Sequence, residues 1–143
     1  MVLLETDHRR FEQLLKLGEE TTERAVKRRS QLLDALTSEL SVHELIEERV
    51  LYPALKPYPE ARELVLEGFQ EHHVADVLVA ELRRVARADE KWGAKFKVLK
   101  ESLEHHIEEE EGRMFRIARA VLGQEELNDL GARMKTLKAK LEG

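Results

Sequence analysis

Residues 33–52 read LDALTSELSVHELIEERVLY, and residues 96–115 read FKVLKESLEHHIEEEEGRMF. In the first stretch Leu33, Leu36, Leu40, His43, Glu47 and Val50 step by 3, 4, 3, 4 and 3, the spacing of one helix face. In the second, Phe96, Leu99, Leu103, His106 and Glu110 repeat those steps 63 positions later, and Glu48, Leu51 and Tyr52 have counterparts in Glu111, Met114 and Phe115. The two stretches are copies of one helix, an internal duplication. The preceding helix is duplicated as well. Asp7-His8 and Glu71-His72 stand 64 positions apart, in the seams Met1, Leu4, His8, Phe11, Leu15, Gly18 and Val65, Gly68, His72, Ala75, Val79, Leu82. The pattern predicts two helical hairpins, each carrying one lone histidine and one His-x-x-x-Glu. Together they form an all-α, antiparallel up-down four-helix bundle.

In such a bundle the turns fall midway between histidines that share a level. Lys56-Pro57-Tyr58-Pro59 lies midway between His43 and His72 and breaks any helix. Ala88-Asp89-Glu90 lies midway between His72 and His106. The midpoint of His8 and His43 falls near Ala25, where nothing reads as a turn, although Gly18 and Thr21-Thr22 are close. After Gly123, read as a helix C-cap, a fifth helix over about 124–142 carries Leu127, Leu130, Met134, Leu137 and Leu141 on one stripe. It is expected to pack on the outside of a bundle spanning about 1–122, within a single domain of 143 residues.

Composition agrees and narrows the function. Only 5% of residues are aromatic, three are proline and 37% are charged, which favours helices over strands. There is no cysteine, which excludes disulfides, thiolate metal sites, iron–sulfur clusters and thiol catalysis. No apolar run approaches the roughly 20 residues of a membrane span, and the acidic start is no secretory signal, so a cytoplasmic protein is expected. A net charge of −5 and a pI near 5.7 argue against a nucleic-acid partner. The one basic cluster, Arg24 with Lys27, Arg28 and Arg29, reads as a solvated helix face.

The seams hold the chemistry. His43/Glu47 and His106/Glu110 each present an imidazole and a carboxylate on an apolar face. A buried charge costs several kcal/mol unless paired, and the neighbouring leucine, valine and phenylalanine side chains pair with nothing. Four seam histidines and two seam glutamates converging on one level are therefore expected to coordinate metal. Six protein ligands exceed what one zinc ion takes, and four imidazoles do not suit an all-oxygen calcium or magnesium cage. The donor set suits a pair of iron ions, oxo- or hydroxo-bridged, with manganese or zinc as substitutes. Two histidines per ion and two bridging glutamates leave a position open on each, and open positions mean reaction with a small molecule.

These blocks resemble the hemerythrin-like (HHE cation-binding) domains. The resemblance rests on Asp7-His8, His43-Glu-Leu-Ile-Glu47-Glu-Arg-Val-Leu-Tyr-Pro53, Glu71-His72 and His106-Ile-Glu-Glu-Glu110-Glu-Gly-Arg-Met-Phe115, over roughly residues 1–122. It implies a four-helix bundle with a non-haem diiron centre that binds or senses oxygen or iron, or reacts with peroxide or nitric oxide. Carried over by motif position, the ligands are His8, His43, Glu47, His72, His106 and Glu110. Two positions depart from the family. Asp76 stands where oxygen carriers have a further histidine, either as an extra ligand or as a hydrogen-bond acceptor nearby. That substitution argues against reversible oxygen transport. Arg116 replaces the proline expected after Phe115, by analogy with Tyr52-Pro53, and should let the helix run on.

Several residues need weighing against simpler roles. His73 and His105 adjoin the assigned ligands, but seams drawn through them are much more polar, so both belong at the surface or just behind the ligands. Of Glu108 to Glu111, only Glu110 is expected to aim inward. Tyr52 lies one turn beyond Glu47 and either approaches the metals or packs in the core with its hydroxyl hydrogen-bonded. Trp92 should anchor a hairpin. Ferritin-like carboxylate bundles use Glu-x-x-His and more glutamates than histidines, whereas the seams here carry His-x-x-x-Glu and the opposite balance. The expected function is binding or sensing of dioxygen or iron. The alternative is redox breakdown of peroxide or nitric oxide, and a structural domain acting through an unidentified protein partner is a third reading.

Overall fold

A computed structural model describes residues 1–143. The first rod of the bundle is α1 (Val2–Glu19). The second is α2 (Val26–Ile46), a π-helical turn over Glu47–Leu51 and α3 (Tyr52–Leu55), all continuous. The third is α4 (Pro59–Arg84). The fourth is α5 (Glu90–Glu109), a second π turn over Glu110–Met114 and α6 (Phe115–Val121). The rods close a ring, α1 against α2 and α5, and α4 against α5 and α2. The final helix, α7 (Gln124–Glu142), packs outside against α1, α2 and the first π turn, burying Leu130 and Met134 from the predicted stripe.

Local chemistry sets the connections. Pro59 opens α4 at the first helical position, where its missing N–H costs nothing. The Asp89 carboxylate caps α5 by accepting the Lys91 N–H at 2.8 Å. The first connection, residues 20–25, falls at the midpoint where the sequence offers no breaker. It is held by tertiary bonds, since Arg29 donates from Nε to Thr21 Oγ1 (2.8 Å) and from Nη1 to the Arg87 carbonyl (2.7 Å). Arg29 is thus buried, its guanidinium 4.4 Å from the centre of the Trp92 ring. This corrects the reading of the basic cluster: Arg24, Lys27 and Arg28 are exposed, whereas Arg29 ties two loops to the Trp92 anchor. Gly123 is also corrected. It is extended (φ −74°, ψ 163°) and precedes α7 as its N-cap, while Leu122 ends α6.

Every assigned seam residue is buried apart from Met1, which is half-buried. The apolar ones divide into two clusters. One runs from Leu4 and Ile46 to Leu130 and Met134, the other from Phe11 and Leu33 to Trp92 and Phe96. Between them lies a polar layer formed by the histidines and glutamates. Close packing between the rods uses two glycines. A Cβ on Gly18 would overlap the Phe96 ring, and one on Gly68 would sit 2.6 Å from the Tyr52 hydroxyl oxygen.

The two π turns sit at the same place in both repeats, each starting on the glutamate of His-x-x-x-Glu. In each, an amide bonds to the carbonyl five residues back, Tyr52 N–H to Glu47 O and Phe115 N–H to Glu110 O. At 3.6 residues per turn, the fifth residue along an α-helix lies about 140° round from the first. The extra residue of a π turn closes most of that gap. Tyr52 is thereby turned onto the face of Glu47, and Phe115 onto that of Glu110. Pro53 follows the first turn but Arg116 follows the second, so proline is not its cause. As expected of Arg116, the fourth rod runs on to Val121.

Candidate metal centre

All six predicted residues meet in the polar layer, and all six are buried, His8 and Glu47 completely. They fall into two groups whose nitrogen and oxygen atoms lie within 4.8 Å of one another. His8, His43, Glu47 and Glu110 make one, and Glu47, His72 and His106 the other. The glutamates stand between the histidines. Glu47 Oε1 is 2.9 Å from His72 Nε2, 3.4 Å from His43 Nε2 and 3.6 Å from His106 Nε2. Glu110 Oε1 is 3.1 Å from His8 Nε2 and 3.3 Å from His106 Nε2.

Four carboxylates outside this layer fix the rings. Each accepts the Nδ1–H of one histidine: Asp7 from His43 (2.9 Å), Glu111 from His8 (2.6 Å), Glu48 from His72 (2.7 Å) and Glu71 from His106 (2.6 Å). A proton held on Nδ1 leaves the Nε2 lone pair facing inward, the arrangement of a metal-ligating imidazole. The pattern follows the duplication. Asp7 and Glu71 serve the histidine of the other helix in their own hairpin, whereas Glu48 and Glu111 serve the lone histidine of the opposite hairpin. Glu111 therefore also works inward, which corrects the reading of Glu108 to Glu111. The signal was present in the sequence as acids adjacent to each lone histidine and each seam glutamate, in duplicated register.

Electrostatics show what the layer demands. Burial would lower the His43 imidazole, but the charge of Glu47 and the hydrogen bonds to Asp7 and Glu47 carry it up to about 10. His72 and His106 are likewise raised against the pull of burial, by Glu47 and by Glu110 respectively. Burial would raise Glu47, but the facing imidazoles hold it well below the carboxylate range. The layer thus calls for positive charge between its carboxylates. Even so, His43 Nε2, His106 Nε2 and Glu47 Oε2 have no directed hydrogen bond. These unpartnered atoms of metal-ligating type, from the second and fourth rods and facing His8 and His72 of the other two, fit a metal site.

Two aromatic rings close one side of the layer. Tyr52 stacks on His72 (centroids 5.4 Å, 20° between planes) and Phe115 on His8 (5.9 Å, 3°). Only tyrosine brings a polar atom. Its hydroxyl donates to Glu110 Oε2 at 2.9 Å and lies 3.4 Å from His72 Nε2. Tyr52 is both core packing and part of the polar layer. On the other side Phe11, Leu40, Ala75, Leu103 and Ile107 line a cavity of about 10 Å³, room for about one water. Glu44 also borders it and separates it from an outer groove containing Glu48, Asp76 and Arg83. Burial, with Asp76 and Glu48 nearby, pushes the Glu44 carboxyl up to about 9. Asp76, His73 and His105 are exposed and belong to neither group.

Comparison with known proteins agrees with this geometry. The sequence model of the hemerythrin HHE cation binding domain matches residues 2–118. A crystal structure of a hemerythrin HHE cation binding domain-containing protein from Mycobacterium kansasii superposes with a TM-score of 0.79 at 26% identity. The match covers 96% of this chain and 85% of that one. No curated protein sequence matches. No helix is long and apolar enough to cross a membrane. Six histidine and glutamate side chains in duplicated register, on a bundle of this topology and under a family match spanning four rods, make this chain a member of the hemerythrin HHE cation-binding domain family.

Proposed function

We propose that the chain holds two iron ions through His8, His43, Glu47, His72, His106 and Glu110, and uses them to bind or react with a small molecule such as dioxygen, peroxide or nitric oxide. The observation that carries this reading is the convergence of four outward-anchored imidazoles on two shared glutamates, with three buried donor atoms left unpartnered. Bound iron supplies one-electron chemistry and an open coordination position. Everything else is the work of the chain. Asp7, Glu48, Glu71 and Glu111 hold each ring by its Nδ1–H. Glu47 and Glu110 stand where they can bridge. Phe11, Leu40, Ala75, Leu103 and Ile107 supply the apolar part of the small cavity that adjoins the histidines.

A reactive centre that turns over peroxide or nitric oxide is the second reading, and Tyr52 favours it. Its hydroxyl places a proton against Glu110 inside an otherwise apolar wall. The exposure of Asp76 adds that no further ligand stands at the position where carriers have one.

Elemental analysis and an optical spectrum on protein from iron-supplemented cells test the first reading. Two irons per chain with near-ultraviolet oxo-bridge absorption are expected, and His43→Ala with His106→Ala should abolish stoichiometric iron. Retention of two irons in that double variant would falsify the ligand set. A stable, reversible oxygenated spectrum selects binding, whereas turnover of added peroxide selects the enzyme.

A further inference from the structure

The four outer carboxylates are not equally neutralised. Glu111, behind His8, is paired with Arg9. Asp7, behind His43, receives Lys138 Nζ on its second oxygen at 2.6 Å. Glu48, behind His72, meets no lysine or arginine, and Glu71, behind His106, meets only the exposed His105 at 3.7 Å. The division coincides with the two groups of donor atoms. Both cation-backed histidines fall in the group of Glu47 and Glu110, and both unbacked ones in the second group with Glu47, where His106 also reaches Glu110 Oε1 at 3.3 Å. The internal duplication makes the ligands of the two halves equivalent. The surrounding charge breaks that equivalence.

A carboxylate that accepts an Nδ1–H draws the proton toward itself and makes Nε2 a stronger donor. A cation on the carboxylate's other oxygen withdraws part of that effect, and its own field opposes added positive charge nearby. We infer that the two metal positions are electrostatically inequivalent, with the His8/His43 position the harder to oxidise, and that Lys138 is the positioning residue that chiefly sets the difference. This inference rests on the two-iron reading above. Lys138 outranks Arg9 because it is the less exposed, 29% against 58%. Its other contact is Glu142, 3.8 Å away in its own helix. Lys138 lies on α7, beyond the residues the family model matches, so the last helix reaches the centre through Lys138–Asp7–His43.

The test uses the full iron-loaded chain, with iron content measured first. The oxidised protein is then reduced stepwise with dithionite, which adds one electron to one ferric ion at each step and transfers no atom. Electron paramagnetic resonance and Mössbauer spectra follow the steps. Two resolved steps and a mixed-valence signal at half reduction are expected. Lys138→Met should keep two irons while lowering the mixed-valence yield, with the comproportionation constant falling on the order of tenfold. Lys138→Arg should restore it, which mere loosening of α7 would not allow. Two irons with an unchanged mixed-valence yield in Lys138→Met overturns the inference and leaves the two-iron reading intact. Fewer than two irons in the unmodified chain overturns both.

Discussion

Single residues carry the sharpest consequences. Gly68 is a glycine because the Tyr52 hydroxyl occupies the space its Cβ would take, 2.6 Å away. Gly68→Ala must displace the ring of a completely buried tyrosine. A cost of about 1–3 kcal/mol is expected, as for other overpacked interiors, measurable by urea denaturation. Tyr52→Phe instead keeps the packing and removes one hydroxyl, so a stability close to that of the parent is expected together with an altered optical spectrum. A parent-like spectrum would place the hydroxyl outside the chemistry. Glu111 illustrates how a residue can be visible in sequence and still be misread. It sits in a run of four glutamates that looks like a solvated face, yet it fixes the His8 ring. Glu111→Gln should weaken iron binding about 10- to 100-fold, read by competition with a chelator. A helical exposed-face variant such as Glu108→Gln serves as the control.

Elements were legible wherever periodicity extended over several turns. The seams through Leu33–Val50 and Phe96–Glu110 place every named residue inside, because a regular helix makes burial a function of spacing alone. The π turns were not legible. The 3-4 steps run on to Val50 in the first copy and to Glu110 in the second without marking them, and the choice between an ordinary and a widened turn depends on whether Tyr52 and Phe115 gain a place over the histidines. That gain is tertiary. Deleting the exposed Arg49 removes one residue from the first π turn and should restore α-helical pitch there. Tyr52 then stands four residues beyond Glu47, where an α-helix brings it to within about 40° of that face, so Tyr52 keeps its place beside Glu110. The expected result is a folded protein whose iron content by elemental analysis is close to that of the parent. Markedly reduced iron content would mean that the site needs the widened turn itself.

At the scale of the whole molecule, a polar layer divides two apolar clusters, and its buried carboxylates and imidazoles oppose folding unless positive charge sits among them. Metal binding and folding are then linked, since an ion that binds only the folded chain stabilises it by about 4 kcal/mol at a free concentration 1,000 times its dissociation constant. For a domain of this size that corresponds to a shift on the order of 15 °C in Tm. Calorimetry before and after chelator treatment should show a drop of that order, reversed by added ferrous iron. An unchanged Tm would mean that the layer is satisfied without metal. Lys138 joins the outer helix to the same layer, so the linkage extends beyond the four duplicated rods.

By itself the sequence determined the helical class, the duplication, the seams and the six residues that meet in the polar layer. These depend on local spacing and on the high cost of burying charge on an apolar face, both readable residue by residue. Tertiary structure decided the remainder. Which carboxylate anchors which ring depends on crossings between hairpins, as with Glu48 to His72 and Glu111 to His8. The burial of Arg29 under Trp92, the two widened turns and the reach of Lys138 to Asp7 depend on contacts between segments far apart in the chain. Periodicity reports which face of a helix is turned inward, but not what waits there from another helix.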